Sequence, residues 1–327
     1  MTGAATAAAE RLEILVFTYN RAEKLRRTLA ALRDSPFAYC RITVLDNCSP
    51  DHTPDVCREF ESELDRLRVV RHTRNIGLGA NYLRAVELSR APYSWILSDD
   101  ERLDFDDVGD VIEAVAAGDC DLISLGSPGQ YEWERGLRTT TQELLGRGER
   151  YFWVWTFAAG VIFRTDLFDS HCVREGYQHL HGDYAHFPHF EFVYQCLKRD
   201  ASVVTSRSEI VGRDEATVLR TASSPLAWYV EVIRPTTRID DDDLRRAAVY
   251  QVADSRSDWL RHVAGLVAFE KVERPEAVRP LLVELATTLN GEPRRLFLLL
   301  IAPVGMIPRP VLLGLRALAR AARRLGS

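Results

Sequence analysis

What most limits the fold open to this chain is a fourfold alternation within its first hundred residues. Short apolar runs, each closing on a polar, turn-forming segment, are separated by stretches with helical spacing. Leu12–Thr18, Arg41–Leu45, Leu67–Arg71 and Tyr93–Leu97 have the length and composition of buried strands. Between the first two, Ala22, Leu25, Leu29 and Leu32 recur at helical intervals over 21–32, and Thr53–Asp65 and Ala80–Ser89 also read as helices. Near-continuous apolar strands need cover on both faces, and helical crossovers are what parallel neighbours require. The expectation is an α/β fold built on a mostly parallel sheet flanked by helices.

The pattern continues with a helix over Asp106–Ala117, a strand over Cys120–Leu125 and a further apolar run over Phe157–Phe163. Residues 126–150, rich in Gly, Thr and charge, read as a long functional loop. Beyond about residue 225 the texture changes to Arg/Ala/Leu helical patterns, so a main domain over 11–225 and a helical C-terminal region over 226–327 are expected. The Ala-rich residues 1–10 read as a disordered lead-in. A net charge of -5 gives no reason to expect nucleic-acid binding. The six cysteines (40, 48, 57, 120, 172 and 196) form no CxxC pair, and no secretory signal precedes them. That combination reads as reduced thiols in a cytoplasmic protein.

The polar segments closing the four strands carry the chemistry. They are Thr18-Tyr19-Asn20-Arg21, Asp46 to Thr53, Arg74-Asn75-Ile76-Gly77, and Asp99-Asp100-Glu101. In a parallel sheet these tips share one edge, where ligands of open α/β sheets bind. Asp46 can accept hydrogen bonds from the ring N–H groups of a base. Thr18, Asn20 and the helix start at Arg21 offer donors and a positive dipole end to phosphate, and Arg74 offers fixed positive charge. Asp99, Asp100 and Glu101 offer the hard oxygen ligands that Mg²⁺ or Mn²⁺ prefers. Together these groups describe a pocket for a nucleoside diphosphate and a divalent metal.

The ordered set resembles the GT-A-fold glycosyltransferases of family two: a T-Y-N-R-like turn, a D-N-x-S-x-D-x-T segment, an N-x-G helix start and a D-x-D-type motif after an apolar strand. The resemblance is strong over 11–125 and weak over 126–215. It implies a Rossmann-like catalytic domain with a helical appendage, and transfer of a sugar from a nucleoside diphosphate sugar to an acceptor hydroxyl. The acceptor class it implies is a polysaccharide or lipid-linked glycan, with a small molecule as second choice. Thr18, Asn20, Arg21, Asp46, Arg74 and Asp99 would contact the nucleotide, and Asp99, Asp100 and Glu101 would hold Mn²⁺ or Mg²⁺. Ser98-x-Asp100 fits the motif's register as well as Asp99-x-Glu101 does.

The family's downstream Glu-Asp pair is missing. The corresponding stretch, 182–191, offers Asp183, His189 and Glu191 as candidates for the base that takes the acceptor proton. The departure leaves open an inverting outcome, and keeps a non-catalytic sugar-nucleotide-binding scaffold as a rival. A nucleotidyltransferase is a second rival, although the Gly-rich, Arg-containing loop expected after its first strand is absent. Four histidines at 179, 181, 186 and 189 have no Cys partners at zinc-ligand spacing. Asp240–Asp243 precedes a helical pattern and reads as a helix start. Tyr151–Trp155 reads as sheet core or as a sugar-stacking platform.

No run reaches the ~18 apolar residues that span a bilayer; the nearest, Leu296–Pro308, contains two prolines. Residues 296–325 combine Leu and Ala with several arginines. They read either as a peripheral contact with the inner face of the cell membrane or as a helix packed on the protein with a solvated basic face.

Overall fold

Residues 12–18 and their three relatives pair as the alternation requires. The structure is a computed structural model; it describes residues 3–99, 101–126, 134–147, 158–178, 180, 188–213, 224–238, 241–250, 255–315 and 317. The chain divides into two compact units, with the boundary near residues 220–221.

In the first unit, strands β1 (Leu12–Thr18), β2 (Arg41–Asp46), β3 (Leu67–Arg71) and β4 (Tyr93–Ser98) lie parallel, joined by α2 (Ala22–Arg33), α3 (Thr53–Glu61) and α4 (Leu78–Leu88). The full sheet adds β6 (Leu122–Ser124), β7 (Arg138–Thr140), β8 (Val161–Arg164) and β9 (Ser202–Thr205) in the order β3-β2-β1-β4-β8-β6-β9-β7. Strand β8 runs antiparallel to both β4 and β6, and β7 runs antiparallel to β9. The short strands β5 (Glu101–Leu103) and β10 (Val211–Arg213) pair antiparallel beside the acid run.

Both faces of β1 are buried, which is why its sequence is nearly all apolar. Its one carboxylate, Glu13, is buried and satisfied: it accepts from Thr43 Oγ1 at 2.7 Å and from the Arg90 N–H at 2.6 Å. A buried acid must be bonded in this way, because desolvation of an unpaired charge costs more than folding can offset.

Two expectations are corrected. Residues 3–11 form a helix, α1 (Gly3–Arg11), in place of a disordered lead-in. Ala8 and Ala9 are buried in the main core, and α1 packs on α5 (Gly109–Ala117); small side chains permit that close approach. The 126–150 loop is not uniformly irregular. Its residues 138–140 supply edge strand β7, followed by α6 (Thr141–Gly146), whose N-cap Thr140 accepts from Glu143 N–H.

The second unit is helical: α9 (Pro225–Ile233), α10 (Asp242–Tyr250), α11 (Arg256–Glu273), α12 (Pro275–Thr288) and α13 (Gly291–Leu296) follow α7 (Ser170–Gln178) and α8 (Phe190–Lys198) of the first. Its own core centres on Trp259, whose indole N–H donates to Tyr229 Oη at 2.6 Å. Asp241 Oδ1 accepts from the N–H groups of Asp243 and Leu244 at 2.9 Å, so the second acid run is a helix start.

Candidate active site

The sheet register aligns the functional tips. Thr18 pairs with Asp46, and Asp46 pairs with Arg71, so the three residues that close β1, β2 and β3 stand in one row. The row continues past the strands, with Asn47 N–H donating to Thr18 C=O at 3.0 Å and His72 N–H to Asp46 C=O at 2.9 Å. In-register residues of neighbouring strands share a face, so Asp46 and Arg71 project together.

Asp46 is 1% exposed. Its Oδ1 accepts from Ser49 N–H at 2.9 Å, while its buried Oδ2 has no hydrogen-bond donor among the described residues. Arg71 Nη1 is 3.3 Å from that oxygen, close enough for charge attraction but outside hydrogen-bond geometry, and its Nη2 donates to Ser49 C=O at 2.9 Å. A buried carboxylate oxygen left with acceptor capacity is uncommon and calls for a reason. That oxygen can still accept one donor at the carboxyl end of the sheet.

The loop after β2 is tied to the helix after β1. Asp51 Oδ2 accepts from Ala22 N–H at 3.0 Å, and its Oδ1 from Thr53 Oγ1 at 2.6 Å and Thr53 N–H at 3.1 Å. Partial burial acts against the charged form of Asp51, but these bonds outweigh it and hold the carboxyl below its usual range. The start of α2, expected to face phosphate, thus already has a carboxylate of the chain on its first N–H. Asn20 N–H donates to Ser49 Oγ at 2.8 Å. Asn20 (φ 55°) and Cys48 (φ 65°) both hold the left-handed backbone conformation that residues with a Cβ seldom adopt.

The third tip is fixed by an amide exchange. Asn47 Nδ2 donates to Asn75 Oδ1 at 2.9 Å, and Asn47 Oδ1 accepts from Ile76 N–H at 2.9 Å. Gly77, at φ 86°, makes the turn into α4 that a Cβ would strain. Arg74 is exposed and makes no ion pair among the described residues. The arginine in register with Asp46 is Arg71, at the β3 end of the row. Counting register from the strand ends would have found it, since it closes β3 opposite Asp46.

At the fourth tip Asp99 is buried. Its Oδ2 accepts from Thr18 Oγ1 at 2.6 Å and its Oδ1 from Arg21 Nη1 at 3.0 Å, while its main-chain carbonyl lies 3.3 Å from Thr28 Oγ1 of α2. Arg21 is the N-cap of α2 and turns toward the acid. Asp100 lies outside the described residues; Glu101, half-buried, opens β5. No three His, Cys, Asp or Glu side chains converge among the described residues. Mg²⁺-type ions commonly take one or two carboxylates and complete their shell with substrate phosphate and water. Asp99 accepts from Thr18 on one oxygen and from Arg21 on the other.

Of the three base candidates, Asp183 lies outside the described residues, as do Tyr151–Trp155. His189 is the buried N-cap of α8, with its ring 5.6 Å from Tyr82; Tyr82 in turn meets Phe17 edge-on at 6.2 Å. This aromatic file connects His189 to the residue before Thr18. Glu191 accepts from Gln195 Nε2 at 2.8 Å and pairs with His171 Nε2 at 3.4 Å, between α8 and α7.

Residues 13–187, more than half of the chain, match the sequence profile of the family described as Glycosyl transferase family 2. The chain belongs to that family. EpsH of Bacillus subtilis (strain 168), named as a glycosyltransferase, is 25% identical over 121 residues, 37% of this chain and 35% of that protein. MJ1057 of Methanocaldococcus jannaschii, also named as a glycosyltransferase, is 27% identical over 92 residues, 28% of this chain and 32% of its own. The family 2 chain therefore spans about a third of the length of these curated relatives.

Among solved structures, TarS of S. aureus in complex with UDP-GlcNAc superposes with a TM-score of 0.55 at 15% identity, covering 90% of each chain. The mannosyltransferase PcManGT from Pyrobaculum calidifontis, in complex with GDP-Man and Mn²⁺, gives 0.53 at 17% identity, over 90% of this chain and 84% of that one. At these identities the likeness is one of fold. The family 2 chain has the GT-A arrangement, a mostly parallel sheet flanked by helices.

Proposed function

We propose that this protein moves a sugar from a nucleoside diphosphate sugar to an acceptor hydroxyl, in a reaction that depends on Mn²⁺ or Mg²⁺. The observation that carries the reading is the buried Asp46 Oδ2, an acceptor without a donor at the carboxyl end of β2. A base ring N–H supplies that donor, and the Arg71 guanidinium stands 3.3 Å from the same oxygen. Family membership and the nucleotide sugars held by TarS and PcManGT support the same reading.

In this reading the tips formed by Thr18–Arg21, Asp46–Asp51 and Asn75–Gly77 seat the nucleoside, and Arg74 meets the diphosphate. Asp99, oriented by Thr18 and Arg21, faces the ribose-diphosphate end. Asp100 and Glu101, with Asp99 beside them, would hold the metal, and its charge would offset that of the leaving diphosphate. A base from the 183–191 segment takes the acceptor proton as the hydroxyl attacks the anomeric carbon, giving an inverting transfer. Asp183 and His189 are the two groups retained for that role, since Glu191 is occupied by His171 and Gln195. The acceptor is a polysaccharide or lipid-linked glycan.

The experiment is a thermal-shift screen of UDP, GDP and dTDP and their sugars, with and without Mn²⁺, followed by release of nucleoside diphosphate with a glycan acceptor. Stabilisation that disappears in Asp46→Ala is expected. Failure of every nucleotide to stabilise the protein would overturn the reading. Release of pyrophosphate from a sugar phosphate and a nucleoside triphosphate would replace it with nucleotidyl transfer, and metal-dependent binding without turnover on glycan acceptors would replace it with a scaffold role.

A further inference from the structure

The end of the helical unit keeps apolar residues on both of its sides. Helix α13 runs into a π-helical turn, Phe297–Ile301, and a 3₁₀ turn, Ala302–Met306. Phe297 and Ile301 are buried in the Trp259 core, and Gly305 lies so close to Leu282 that a Cβ there would stand 2.5 Å from its Cδ1. The inner side is therefore anchored. The outer side carries Leu298, Leu299, Leu300 and Met306, the last 83% exposed. After a 99° bend at Ile307-Pro308, the second leg, 309–315, exposes Val311, Leu313 and Leu315. A helix that is apolar all round is ordinarily buried all round, and scattered exposed leucines do not explain so many large apolar groups in one bent segment.

The charge of this segment indicates what covers it. From Pro293 onward the sequence has seven arginines and no Asp or Glu, in a chain whose net charge is -5. Arg294, Arg295 and Arg309 are exposed beside the apolar groups. A second copy of this surface would bring like charges together, which opposes self-association. An anionic lipid surface satisfies both features, taking the leucines at the acyl boundary and the arginines among the headgroups. A spanning role does not suit the segment, because Phe297 and Ile301 are committed to the protein core.

We infer that residues 291–315 form a bent, half-inserted foot by which the full chain sits on an anionic membrane surface. The inference is independent of the proposed sugar transfer and is read without it. The full-length protein is sedimented with vesicles of phosphatidylcholine alone and with vesicles containing a quarter phosphatidylglycerol. Binding to the anionic vesicles is expected to be about tenfold tighter and to fall as salt is raised. The Leu299→Glu/Met306→Glu double variant is expected to lose binding by at least about tenfold, since both sites are exposed and the inserted apolar area sets the affinity. Arg294→Glu/Arg295→Glu should remove the preference for anionic lipid. Circular dichroism and thermal melting confirm that each variant is folded. Equal binding to both vesicle types, binding retained by the leucine–methionine variant, or no binding overturns the inference. So does a dimer in light scattering that Leu299→Glu dissolves, because the apolar side would then belong to a second copy.

Discussion

Arg71 Nη1 stands 3.3 Å from Asp46 Oδ2 without a hydrogen bond to it, while its other nitrogen donates to the Ser49 carbonyl. The pair therefore puts positive charge beside a buried carboxylate oxygen that keeps unused acceptor capacity. Asp46→Ala is expected to abolish stabilisation by nucleoside diphosphates. Arg71→Met should weaken their binding about tenfold, or roughly 1.4 kcal/mol, because it strips the counter-charge and leaves the acceptor in place. Titration calorimetry measures both; wild-type affinity in Arg71→Met would mean that the pair has no part in binding.

Thr18 joins the first and fourth tips through a 2.6 Å bond to Asp99. Both side chains are buried, so Thr18→Val keeps the shape and removes the hydroxyl that donates to Asp99. The expected loss is about 1–3 kcal/mol of stability, read as a lower urea midpoint. An unchanged midpoint would show that the Thr18 bond adds nothing to what the other partners of Asp99 supply.

The four parallel strands and their order of chemistry were legible because burial on both faces writes itself as unbroken apolar runs, and the tips then follow by position. What could not be read was pairing at atomic scale. Arg74 stood out in sequence as the charge next to Asn75, whereas the residue in register with Asp46 is Arg71; its place at the end of β3 was legible, and its distance to the Asp46 oxygen was not. Asp51 was visible as part of a motif, but its use as a cap for α2, an element earlier in the chain, depends on a contact across 29 residues. The helix at 3–11 was missed because an Ala-rich segment carries little periodic signal; its order comes from packing on α5.

Asp51 gives the site a dependence on acid. Its folded carboxyl titrates below the ordinary aspartate value, so the unfolded chain binds a proton more readily and the stabilisation from its charge is complete at neutral pH. That stabilisation fades as pH falls below about 4 and on through the depressed folded value. Asp51→Asn should be less stable than wild type at pH 7, with the gap closing at pH below about 3. Urea unfolding at the two pH values tests this; a gap that is equal at both would assign the effect to shape and not to charge.

For the proton-accepting group, Glu191→Gln is expected to leave kcat within about tenfold of wild type, since its carboxylate serves a contact between two helices. Removal of the true base should lower kcat by about 10²- to 10⁴-fold with nucleotide binding kept, and either Asp183→Asn or His189→Gln should do so. Single-turnover kinetics against a glycan acceptor separates the three. A loss of that size in Glu191→Gln alone would move the role to Glu191.

The left-handed residues Asn20 and Cys48, with the Asn47–Asn75 and Asp51–Ala22 bonds around them, have one further consequence. Tips fixed before any ligand arrives lose little freedom when it does. A nucleotide should therefore meet a standing surface, in a single association phase whose rate does not level off with concentration, and with little of the heat-capacity change that loop ordering brings. Specificity at this end of the sheet would then be set during folding, by the shape the tips already hold.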